Sequence, residues 1–175
     1  MTDTPWTLRR LYSVSDDDIA GLAVLLIDCV EGGSSVSFMH PLTRERAEAF
    51  WGKVAADVAA GARALLVAED DAGICGTVQL VLDMPENQPH RAELVKMLVH
   101  RRARRRGLGA ALMRAAESMA LDCGRTLLVL DAVTGDAGER LYTRLGWTRV
   151  GVIPRYALMP DGAYCATTFF YRDLS

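Results

Sequence analysis

Hydrophobic and polar positions change period several times along the chain, and each change marks an element. Trp6 to Tyr12 reads as a first strand. From Asp16 to Glu31, apolar residues recur at helical spacing (Ile19, Leu22, Ala23, Leu26, Ile27, Val30), and Gly32-Gly33-Ser34-Ser35 breaks that helix. An irregular segment follows through Met39-His40-Pro41. Thr43 then caps a second helix, whose stripe is Ala47, Phe50, Trp51, Val54 and Val58 and whose end is Gly61. Ala64 to Glu69 and Ile74 to Asp83 are strands joined by Asp70-Asp71-Ala72-Gly73, a hairpin sequence. Pro85 to Pro89 make the next turn.

Arg91 to Val99 predicts a strand, and Leu108, Ala111, Leu112, Ala115 and Met119 predict an amphipathic helix stopped by Gly124. Thr126 to Asp131 is a short, continuous apolar run, the pattern of a strand covered on both faces. Asp136-Ala137-Gly138-Glu139 resembles a capping box opening a helix through Leu145. Trp147 to Pro154 and Tyr164 to Asp173 close the chain as strands around the turn Pro160-Asp161-Gly162. No repeat or linker interrupts the series. The expectation is one α/β domain over residues 1–175, with hairpins in its first half and a strand–helix–strand crossover in its second.

Composition is that of an ordinary globular protein: half the 175 residues are hydrophobic and about a quarter charged. The charge is unevenly spread. Net charge is −2, yet five arginines fall between Arg101 and Arg106, so the remainder is distinctly acidic. A nucleic-acid surface needs basic residues along a face, and aromatic interleaving is absent, so a compact anion is the expected ligand of this patch. Cys29, Cys75, Cys123 and Cys165 are far apart and His40, His90 and His100 do not join them, so neither a metal site nor a disulfide framework is predicted. Met1-Thr2-Asp3-Thr4-Pro5 lacks a leader's basic and apolar regions, and the Ile19–Val30 stretch is too short to span a bilayer. A cytoplasmic protein with no membrane partner is expected.

Arg104-Arg105-Arg106-Gly107-Leu108-Gly109 carries the most chemistry. Following a strand and opening a helix, the turn leaves backbone N–H groups unpaired at the positive end of the helix dipole, and the arginines add full charges. A Rossmann fingerprint would need a third glycine and a ribose-binding acid, and a P-loop its Lys-Ser/Thr; both are missing. The spacing Arg104-x-x-Gly107-x-Gly109, with Leu112 on the following helix, resembles the acetyl-coenzyme A motif of the GNAT acetyltransferase superfamily. A second block agrees: Leu141-Tyr142, Gly146 and Trp147 match that superfamily's downstream stretch, although Gly135 and Gly138 stand where asparagine and alanine are usual. Gly32 to Met39, Arg91-Ala92-Glu93, and Tyr156 with Pro160-Asp161-Gly162 are similar to the tabtoxin-resistance branch, which acetylates a β-lactam amino-acid toxin.

The resemblance implies a GNAT fold: a mixed, twisted sheet of six to seven strands flanked by about four helices and splayed at its two central parallel strands. It implies acetyl-CoA as co-substrate, with no metal, and acetyl transfer to a primary amine or hydroxyl of a small molecule. Pyrophosphate would sit on the N–H groups of Arg105, Arg106, Gly107, Leu108, Gly109 and Ala110, with Arg104 and Arg106 the foremost charged contacts and Arg101 and Arg102 as further candidates. A backbone N–H at Leu98 or Val99 would polarise the thioester carbonyl. Glu93 and Asp131 are alternative bases, and Tyr142 is the candidate acid for the departing thiolate. Ser35 and Phe38, in the segment between the first two helices, and Tyr156 are candidate substrate contacts. A non-catalytic CoA-binding sensor is the competing reading. Oligomeric state is open: an edge strand near the C-terminus could pair with a second copy or face water.

Overall fold

The computed structural model describes residues 6–175; the leader reading concerns Met1 to Pro5 and lies outside them. Seven strands form one sheet: β1 (Thr7–Leu11), β2 (Arg63–Asp70), β3 (Gly73–Val81), β4 (Arg91–Val99), β5 (Leu127–Val133), β6 (Thr148–Leu158) and β7 (Tyr164–Asp173), in the order β1-β2-β3-β4-β5-β7-β6. All neighbours are antiparallel except β4 and β5. That parallel pair is joined by α3 (Leu108–Asp122), as a crossover requires. The other helices are α1 (Asp16–Glu31), α2 (Arg44–Ala59) and α4 (Ala137–Arg144).

Helices α1, α2 and α4 start where their cap chemistry says they should. Ser15 and Asp18 form a reciprocal capping box on α1, Thr43 accepts from Arg46 N–H on α2, and Asp136 accepts from Glu139 N–H on α4. Two apolar layers result. On one face α1 and α2 bury Leu22, Leu25, Leu26, Trp51 and Val54 against Leu65, Val67 and Leu98. On the other, Leu108, Leu112, Met113 and Met119 of α3 pack with Tyr142, Trp147 and Phe170 against Ala92, Leu94, Leu128 and Leu130.

Two sequence expectations need correction. The apolar run of β5 is fully buried only through Leu128 and Leu130; Leu127 and Val129 are half-buried and Asp131 is exposed, because α1 and α2 do not extend over this part of the sheet. Strand β6 does not stop at Pro154. It continues to Leu158 past an irregularity between Ile153 and Ala157, and Pro154, which has no N–H to donate, falls in that stretch without register partners on an edge strand. No described helix is long and apolar enough to cross a membrane, and no group of three metal-ligating side chains occurs among the described residues.

Candidate active site

Strands β4 and β5 pair over only three positions, Arg91–Leu127, Ala92–Leu128 and Glu93–Val129, and then part. A bulge in β4 accompanies the parting: the register to β3 slips between Gln79–Val95 and Thr77–Leu98, and Lys96 adopts a left-handed backbone with φ 51°. Strict alternation would place Ala92, Leu94, Lys96 and Leu98 on one face. The extra residue instead sends Leu98 into the α1/α2 core and lets Lys96 meet Ser37 and Phe50 on that same side.

Beyond the bulge, His100 N–H donates to the Cys75 carbonyl at 2.9 Å. Alternation therefore turns the N–H and carbonyl of Val99 away from β3, toward the fork. The Val99 carbonyl accepts from Arg104 Nε at 3.1 Å and from the Cys29 thiol at 3.7 Å. Of Leu98 and Val99, it is Val99 that presents its N–H to the open edge.

The arginine turn follows. Arg101 to Ala103 make one 3-10 turn, Arg105 (φ 59°) and Gly107 (φ 84°) are left-handed, and α3 begins at Leu108 with no side-chain cap. The first helical bond is Ala111 N–H to Gly107 O, so the N–H groups of Leu108, Gly109 and Ala110 have no helical partner. Glycine at 109 permits close packing: a Cβ there would lie 3.1 Å from Leu141. The five arginines divide by partner. Arg101 binds Asp28 at 2.8 Å and Arg102 binds Asp70 at 2.9 Å, anchoring the turn to α1 and to the β2–β3 hairpin. Arg104, Arg105 and Arg106 have no carboxylate partner among the described residues; Arg104 and Arg105 line the cleft, and Arg106 is exposed outside it. An uncapped helix start beside guanidinium groups that no carboxylate neutralises fits a pyrophosphate.

Burial alone would raise the Asp28 carboxyl, but the backbone and guanidinium of Arg101, with His100 close by, outweigh it and hold its pKa below the ordinary range. The Cys29 thiol is pushed up, chiefly by burial.

A cleft of about 680 Å³ runs from this turn into the fork. Its walls include Leu98, Val99, Leu108, Gly109, Ala110, Asp131, Tyr142 and two residues not anticipated from sequence, Lys96 and Arg144. A second cavity of about 340 Å³ adjoins it, sharing Ser35, Ser37, Asp131, Ala132 and Val133, and is completed by Phe38, Met39, Tyr156 and Leu158. Asp131 therefore stands where the two spaces meet. Its carboxylate opens to solvent in the cleft, yet the surrounding protein desolvates it and raises its pKa; Lys96 opposes this and Glu93 reinforces it.

Tyr142 is 6% exposed, lines the cleft and packs edge-on against Phe170. Burial, with Asp136 and Asp131 adding to it, keeps its phenol protonated far above neutral pH. Glu93 lies outside both cavities, where β4 and β5 are still paired, and its carboxylate binds Arg91 at 3.0 Å. Gly135 also lies outside the cleft; its N–H donates to the Glu139 carboxylate and its carbonyl accepts from Arg140.

The α1–α2 segment is latched over the second cavity. Ser35 Oγ donates to the Leu158 carbonyl at 2.7 Å and His40 N–H to the Pro160 carbonyl at 3.1 Å. Phe38 rests edge-on against Phe50, and Tyr156 against Phe169. All three residues expected to touch the acceptor are thus gathered around one space. Lys96 was missed because a bulge cannot be read from alternation; its trace in the sequence is a lone lysine at an apolar phase of β4.

The acetyltransferase (GNAT) domain family matches residues 61–149. An uncharacterized N-acetyltransferase in the hisH-hisA intergenic region of Azospirillum brasilense is 32% identical over 133 residues, covering 75% of this chain and 76% of the relative. Among solved structures, yncA from Salmonella typhimurium, determined with its cofactor acetyl-CoA, superposes with a TM-score of 0.78 at 20% identity, over 98% of this chain and 95% of the other. A GCN5-related N-acetyltransferase from Kribbella flavida gives 0.77 at 23%, over 97% and 98%. At these identities the structural likeness is one of fold, while the family and sequence matches go further. The chain belongs to the GNAT family of N-acetyltransferases, acyltransferases that draw on acetyl-CoA.

Proposed function

We propose that this chain transfers the acetyl group of acetyl-CoA directly to a primary amine, or a hydroxyl, of a small molecule lodged in the second cavity. The observation that carries this reading is the position of Asp131, at the junction of a cleft that fits the donor and a cavity that fits an acceptor.

The free N–H groups of Leu108, Gly109 and Ala110, with Arg104 and Arg105, hold the pyrophosphate; Arg106 adds charge from outside the cleft. The Val99 N–H donates toward the thioester oxygen, where negative charge grows during attack. Acetyl-CoA supplies the activated acyl group. Asp131 takes the proton that the attacking amine must lose, directly or through water. Its raised pKa makes it a better base than an ordinary aspartate. Glu93 contributes through its charge, keeping Asp131 basic.

Tyr142 hydrogen-bonds the departing sulfur. Because its phenol is much less acidic than a thiol, it steadies the thiolate as a neutral donor and passes its proton on only as one returns from the acceptor's side. Ser35, Phe38 and Tyr156 shape the acceptor's seat, and the scarcity of charge there beyond Asp131 favours a cationic amine with an apolar body. The test is free-thiol release from acetyl-CoA across a panel of amines, amino acids and alcohols. Release that depends on one acceptor class supports the reading; hydrolysis alone, or none with any acceptor, contradicts it.

A further inference from the structure

Of the twenty basic residues in the chain, eighteen are arginine and two are lysine, Lys53 and Lys96. Lys53 is exposed on α2. Lys96 lines the donor cleft. An arginine cannot lose its charge in a protein, whereas a lysine can be turned into a neutral nucleophile by its surroundings.

The surroundings of Lys96 are of that kind. Its amine is held by Ser37 Oγ at 2.9 Å, and Ser37 lines both cavities, so the end of the side chain sits where donor and acceptor spaces join. Among the described residues no carboxylate lies within ion-pair distance of Nζ. The Phe50 ring, 5.8 Å from Nζ, favours the ammonium form. Burial works more strongly in the other direction, with Arg63 adding to it and Asp131 opposing it, so that the pKa is lowered and the lone pair is more available than in a free lysine.

We propose that Lys96 is itself an acetyl acceptor: with no small molecule in the second cavity, its Nζ takes the acetyl group and the enzyme acetylates its own active-site wall. The inference rests on the acetyl-CoA chemistry of the preceding section. A bond forms between Nζ and the acetyl carbon while the carbon–sulfur bond breaks; CoA leaves as the thiolate and is protonated, and the surplus proton on nitrogen passes through Asp131 to water. The product is a neutral amide beside Asp131, with added bulk between the two cavities. Self-acetylation would therefore slow later turnover.

Lys53 provides an internal control. The full chain is incubated with acetyl-CoA alone, acetylation at both lysines is followed by peptide mass spectrometry, and the melting temperature is measured with and without acetyl-CoA. Lys96, held beside the donor, should be acetylated about tenfold faster than Lys53 or more. Asp131→Asn should slow labelling at Lys96 and leave Lys53 unchanged, and Lys96→Arg should remove the fast label while Lys53 labels as before. Equal rates at the two lysines, or no label at Lys96 in a protein whose melting temperature rises with acetyl-CoA, overturns the proposal alone. A protein that neither labels nor shifts overturns the acetyl-CoA reading with it.

Discussion

Ser37 and Lys96 hold each other from two strained positions: both backbones are left-handed, φ 76° and 51°, and the lysine amine donates to the serine hydroxyl at 2.9 Å. The other two left-handed residues that are not glycine among the described residues, Arg105 and Arg155, stand at the arginine turn and beside Tyr156. Each such conformation costs on the order of 1–3 kcal/mol and persists only where its surroundings impose it. The strain of this chain is gathered at its site, and the Ser37–Lys96 contact stitches the bulge of β4 to the loop over the second cavity.

Replacing Ser37 with alanine keeps the strained backbone and removes the stitch. Ser37→Ala is expected to cost about 0.5–1.5 kcal/mol in stability. The KM for the acceptor should rise while the Kd for acetyl-CoA stays unchanged. Calorimetry and steady-state kinetics check the two halves, and an altered acetyl-CoA Kd with an unaltered acceptor KM would contradict the assignment.

The acid limb of the activity profile should report Asp131. A base must be deprotonated, and this carboxyl is raised by burial, so kcat/KM should begin to fall at a pH above the ordinary aspartate value of about 3.9. Lys96 lowers that pKa and Glu93 raises it. Lys96→Met should therefore move the limb to higher pH and Glu93→Gln to lower pH. Shifts of the same sign in both variants would rule out Asp131 as the titrating group.

Much of this is legible in the chain alone. Helix caps at Ser15, Thr43 and Asp136 are local chemistry, and the glycine-bearing arginine turn announces its own uncapped helix. The gathering of Ser35, Phe38 and Tyr156 followed from a family pattern rather than from periodicity. What could not be read depends on distant partners. Nothing near Arg101 or Arg102 in sequence reveals that Asp28 and Asp70 occupy them. The choice between Glu93 and Asp131 depends on where two strands part, and the bulge that redirects Lys96 shows in the sequence only as a lysine at an apolar phase of β4.

Asp28 links α1 to the arginine turn, and its removal should be felt in both stability and binding. Its folded pKa is depressed, so the stability it contributes is fully present above the unfolded value of about 3.9 and is lost as pH falls through the lower folded value. Asp28→Asn should lower the melting temperature at pH 7, lose much of that deficit relative to wild type in strong acid, and weaken acetyl-CoA binding. A deficit that grows on acidification would have the wrong sign.

Tyr142 is predicted to act on the leaving group rather than on binding. Tyr142→Phe retains the packing against Trp147 and Phe170 and should lower kcat by about 10²-fold, with acetyl-CoA affinity near wild type. Equilibrium binding beside single-turnover kinetics separates the two effects. Unchanged single-turnover rates would remove Tyr142 from the mechanism.

The central claim is that Asp131, at the meeting point of the two cavities, is the base. It is tested most directly by comparing kcat/KM of Asp131→Asn and Glu93→Gln, by thiol release, with the best acceptor from the panel. The account predicts a loss of about 10²–10⁴-fold for Asp131→Asn and less than about tenfold for Glu93→Gln. A near-normal Asp131→Asn enzyme beside a crippled Glu93→Gln enzyme would contradict it.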